Sequence, residues 1–86
     1  MKNLFEKEKR RKELKNNLKN VRNDLHNFQR TIDSINEELD LIYQGKLHTN
    51  QEYVGTLLQR KLKVQQNIVG AVEVMVNIER ELKGLI

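Results

Sequence analysis

Cysteine, proline and tryptophan are all absent from this 86-residue chain. Without cysteine there is neither a disulfide nor a thiolate metal site, and nothing in the sequence marks a redox compartment. Without proline, and with only four glycines, most turn punctuation is gone, which leaves helix as the backbone state for nearly the whole length. Aromatic residues are scarce: Phe5, Phe28, Tyr43 and Tyr53 are too few to build stacking platforms for single-stranded nucleic acid. Long apolar runs are missing as well. The most hydrophobic stretch, Ile68 to Ile78, is broken by Glu73 and Asn77, far short of the roughly 20 residues a bilayer span needs. No hydrophobic segment of a secretory signal follows the N-terminal lysines, so the expectation is a cytoplasmic protein that does not span a membrane.

What is present is charge and periodicity. One third of the residues are charged. A chain this short has too little interior to enclose a large pocket, which argues against an enzyme and against any cofactor. Leu14, Leu18, Val21, Leu25, Phe28, Ile32, Ile35, Leu39 and Ile42 follow one another at alternating spacings of 4 and 3. That is the 3.5-residue repeat of a coiled-coil seam, with polar residues filling the other face. The pattern predicts a first helix over about 3–43.

A break follows at 44–49. Gly45 stands where a left-handed residue ends a helix, and Thr49-Asn50-Gln51-Glu52 reads as a capping box that opens a second helix over about 50–84. A loop this short sets the two helices side by side and antiparallel. Leu57, Lys61, Val64, Ile68, Ala71, Met75, Ile78, Leu82 and Leu85 repeat the 4 and 3 spacing, with Lys61 the one polar member. Folding the chain about residues 46 and 47 brings Leu25 to Ile68, Leu18 to Met75, Leu14 to Ile78 and Lys15 to Glu79. The reading is a single all-α domain over 1–86, an antiparallel two-helix hairpin of coiled-coil type.

The second helix carries more apolar surface than one partner can cover. Leu58, Leu62, Val69, Val72 and Val76 form a second stripe beside the first seam, and the first helix has no spare face for it. An apolar strip of this length usually marks an interface. Self-association through these five residues, giving a homodimeric four-helix bundle, uses one surface twice. Gly70, in mid-helix at a cost of about 1 kcal/mol against alanine, fits either the close approach of another backbone or simple tolerance.

Charge is concentrated at the N-terminus. Residues 1–22 hold nine basic and three acidic residues, a net of +6, whereas the other 64 hold seven basic and nine acidic, a net of −2. Arg11 and Lys7 fall on seam positions, so the hydrophobic contact should fail there and the helix should leave the bundle or fray. Lys9, Arg10, Arg11 and Lys12 are the candidate partner-binding residues. A basic helix running into heptads resembles the layout of basic-leucine-zipper DNA binders, whose positive helices enter the major groove. The resemblance covers charge and layout alone. The Asn-x-x-Ala-Ala core of that family does not occur here, so no base-reading residue carries over. An acidic protein surface, phosphate-backbone contact, an anionic membrane gripped by Leu4 and Phe5, and a merely solvated helix start partly answered by Glu79 and Glu81 are the competing uses.

Catalytic and metal chemistry find no support. His26 lies outside the seam and His48 in the turn, neither near a nucleophile and an orienting third group. Asp33, Glu37 and Asp40 share one helical face, where a solvated acidic surface is the ordinary reading and an open, weak cation site the alternative. The sequence thus points to a non-enzymatic protein-interaction module, an adaptor, assembly factor or inhibitor. Its lysine- and asparagine-rich composition would suit an AT-rich bacterial or phage genome. A nucleic-acid binder working through the basic N-terminal helices of a dimer is the alternative.

Overall fold

The structure is a computed structural model, which describes residues 4–85. Two helices, α1 (Leu4–Tyr43) and α2 (Gln51–Gly84), account for nearly all of them, and no strand occurs among the described residues. They pack along their lengths as an antiparallel hairpin measuring 65 × 15 × 14 Å.

The seam follows the sequence period. Every one of the nine α1 positions from Leu14 to Ile42, and every one of the nine second-helix seam positions from Leu57 to Leu85, the residue just after α2, is buried or half-buried. Six of the seven buried residues among those described gather in two end clusters, and the seventh, Ile32, lies between them. Leu14, Leu18 and Ile78, with Val21, Met75, Leu82 and Leu85 packed against them, form a cluster at the open end of the hairpin. Ile35, Leu39 and Leu57, with Ile42 and Val54, form another beside the turn. Between the two, Leu25, Phe28, Lys61, Val64, Ile68 and Ala71 are only half-buried. The hairpin therefore has a waist less well covered than its ends.

The register is close to that expected from folding about residues 46 and 47. Leu14 and Ile78 share a cluster, and so do Leu18 and Met75. At the open end Arg10 meets Glu81, and near the turn Glu38 meets Tyr53. Both pairs lie two residues from the expected partner and in the same direction, so the register holds constant along the rod. Glu79 takes Arg22 as its ion-pair partner, at 3.8 Å, in place of the expected Lys15. Arginine's longer, forked side chain spans the diagonal between the helices.

The turn ends α1 as anticipated. Gly45 has φ 74°, a conformation that costs residues with a Cβ about 1–2 kcal/mol. Its N–H donates to the Ile42 carbonyl at 3.0 Å, and Lys46 N–H donates to that of Leu41 at 2.9 Å. These are the paired bonds of a Schellman termination, which satisfy carbonyls that the helix leaves open. The start of α2 differs from the expected Thr49 capping box. The cap is Asn50, in extended conformation, whose side-chain oxygen accepts from Tyr53 N–H at 2.8 Å. Asparagine caps at least as well as threonine, and starting one residue later places Tyr53, not Glu52, at the third helical position. Tyr53 has no carboxylate to return to the cap.

Candidate interaction surfaces

The stripe on α2 is open to solvent. Leu58, Leu62, Val69, Val72 and Val76 retain between 39 and 59 % of their accessible surface, whereas Leu57, next to Leu58 but turned into the seam, retains 1 %. The five lie at spacings of 4, 7, 3 and 4, and with Gln65 in the gap they make a second heptad seam alongside the first. Val74 is 48 % exposed as well, but on the other side of α2. Gly70 is also exposed, and a Cβ built on it would meet nothing within 4 Å. No close approach inside the hairpin accounts for this glycine, and it lies off the stripe.

The basic end of α1 stays in the hairpin, contrary to the expected departure or fraying around Lys7 and Arg11. The physical reason lies in α2. Arg10 forks onto one carboxylate oxygen of Glu81, from Nε at 2.9 Å and from Nη2 at 2.8 Å, and its Nη1 is 3.4 Å from Glu13. The hydrogen bond and charge of Glu81 raise the Arg10 pKa above its already high ordinary value, so the guanidinium is charged at any accessible pH. Half-buried Arg11 extends past the end of the apolar seam and donates from Nη2 to the Leu85 carbonyl at 3.3 Å. Leu85 is the C-cap of α2, where carbonyls lack helical partners and the macrodipole favours a cation. A cation at a seam position thus takes over as a tertiary cap where hydrophobic packing ends.

These contacts divide the four candidate partner-binding residues. Arg10 and Arg11 are engaged within the hairpin, while Lys9 and Lys12 are exposed on its surface. Lys9 and Lys12 border a shallow depression with Phe5 and Glu8, and Leu4 and Phe5 are themselves largely exposed. A second shallow depression at the open end is lined by Glu6, Lys7, Arg10, Glu81 and Leu85, residues of both signs. The expected cover by Glu79 and Glu81 is present, through Arg22 and Arg10 respectively.

Near the turn, the Tyr53 hydroxyl donates to Glu38 across the hairpin. That bond, with some desolvation, raises the tyrosine pKa above 10.0, because the carboxylate stabilises the protonated phenol. Asp33 accepts from Gln29 at 3.0 Å on the exposed acidic face of α1. Among the described residues, no group of three histidine or acidic side chains is placed to hold a metal ion, and no helix is long and apolar enough to cross a membrane. His26 and His48 are both exposed. Comparison with protein-family models, with curated proteins and with solved structures finds no match to the chain.

Proposed function

We propose that this protein is a non-enzymatic interaction module that works as a homodimer, α2 packing on α2 of a second copy to form a four-helix bundle. The observation that carries the reading is the second heptad stripe, left open on a helix whose first seam is already covered. A stripe at 3.5-residue spacing is shaped for another helix, and a second copy supplies one. About half of each of the ten side chains in such a dimer would be newly covered, on the order of 1 kcal/mol each in gross terms. Set against an association cost of about 4–15 kcal/mol, this describes a dimer whose occupancy depends on concentration.

In this reading the open end of each hairpin, with Lys9 and Lys12 exposed beside Phe5, docks the acidic surface of another protein, which the dimer assembles, delivers or blocks. Phosphate-backbone binding has less support, because Arg10 and Arg11 already have partners inside the hairpin. A salt titration separates the apolar dimer interface, which hardly responds, from the charged docking ends, whose contacts with an acidic surface or with phosphate both weaken as salt rises; adding a DNA duplex then tells those two apart.

The direct test is Val69→Asp, with Val74→Asp as its control. Val69→Asp puts a charge in the middle of the stripe and should halve the mass in solution while most helicity survives. Val74→Asp, on the opposite side of α2, should leave the mass unchanged. Equal behaviour of the two variants would remove the stripe as the interface.

A further inference from the structure

Resting on the dimer reading above, we infer that the two copies of α2 pack antiparallel, with Leu58 opposite Val76 of the second copy, Leu62 opposite Val72 and Gln65 opposite Val69. The midpoint of the stripe, level with residue 67 along the helix, lies on the two-fold axis.

Three observations point the same way. The first is a gradient of size. The stripe has leucine at 58 and 62, near the turn, and valine at 69, 72 and 76, toward the open end. Antiparallel packing sets each leucine against a valine, so the outer layers of the interface have equal volume and the helices can stay evenly spaced. Parallel packing would set leucine on leucine at one end and valine on valine at the other. Gln65 of both copies would lie within about one helical turn of the axis, 5.4 Å, where two side-chain amides can hydrogen-bond each other.

The second observation is charge. The open half of the hairpin, residues 4–23 and 70–85, holds ten basic and six acidic residues, a net of +4. The turn half, residues 24–69, holds five basic and six acidic, a net of −1. Within α1 the contrast is sharper: residues 4–23 carry eight basic and three acidic residues, a net of +5, and residues 24–43 carry one basic and five acidic, a net of −4. That polarity opposes the helix macrodipole, which favours acids at the start and bases at the end, so it does nothing for α1 alone. An antiparallel dimer lays each positive half beside the other copy's negative one, whereas a parallel dimer doubles the positive end.

The third observation is position. The midpoint of the stripe lies over the waist between the two buried clusters, beside half-buried Val64, Ile68 and Ala71. A second copy centred there covers the least protected length of the seam.

The consequence is that the two basic open ends stand at opposite ends of the bundle, about 40 Å apart along its axis at 1.5 Å per residue. The dimer then has two separated docking ends and not a single fork.

Because the chain has no cysteine, single cysteines report the register directly. Leu58→Cys and Val76→Cys, each full length, are oxidised alone and as an equal mixture, and disulfide products are weighed by mass spectrometry alongside the solution mass. The inference expects the mixed 58–76 disulfide in the mixture and little product from either variant alone. Homodisulfides from each variant alone would overturn the antiparallel register and leave the dimer reading standing. A dimeric mass with no disulfide in any sample would likewise reject this register only. A monomeric mass at every concentration would reject the dimer reading, and this inference with it.

Discussion

Asn50 and Arg11 each close a helix end, one locally and one from the other helix. The Asn50 side chain holds Tyr53 N–H at 2.8 Å, so Asn50→Ala should lower stability by about 1 kcal/mol. Thr49→Ala, one residue earlier, should stay within about 0.5 kcal/mol of the parent. Chemical denaturation of the two variants checks this, and a larger loss from Thr49→Ala would return the cap to the threonine. Both residues are good caps with acceptable sequence neighbours, and for that reason the sequence pattern favoured the wrong one. Which of two adjacent caps is used depends on how the loop from Gly45 meets α2. Arg11 was illegible for a different reason. At a seam position a cation reads as a fault, and its role as a cap needs the end of α2 to be known, which is a tertiary fact. The constant register offered a signal, since it carries the last turn of α2 toward residues 8–11 of α1.

At the scale of the helix, the seam was legible because its period is written in the spacing of apolar residues and needs no knowledge of the partner. Every seam position assigned from the 4 and 3 spacing is buried or half-buried. Spacing did not reveal how evenly the seam packs. Burial is deepest in the clusters at the ends, and the waist is more open on its α2 side, where the seam positions include Lys61 and Ala71. A half-buried lysine can cover apolar surface with its stem while keeping its ammonium in water. Lys61→Leu should therefore stabilise the hairpin by roughly 1–2 kcal/mol, seen as a higher thermal midpoint. An unchanged or lower midpoint would mean that the lysine stem already packs as well as leucine does. The open stripe was legible too, since it follows from counting apolar faces on α2 against those on α1.

The whole molecule is a thin rod. Its radius of gyration is 19.4 Å, against about 12 Å for a compact domain of this length. Its accessible surface is 7035 Å², against about 5,300 Å² for a globular chain of the same mass. The excess surface is the physical case for association: two helices in one layer cannot surround a core, whereas four can. In the proposed dimer, charge at this scale would set the direction of association, the basic half of α1 lying beside the acidic half of the other copy. A rod also migrates anomalously on a sizing column, so association is measured by mass. Static light scattering on the full-length chain, from low to high micromolar concentration, tests the central claim most directly. The account predicts a mass that rises to twice the 10.2 kDa of one chain and persists at physiological salt. A mass that stays at that of one chain across the whole range would contradict it.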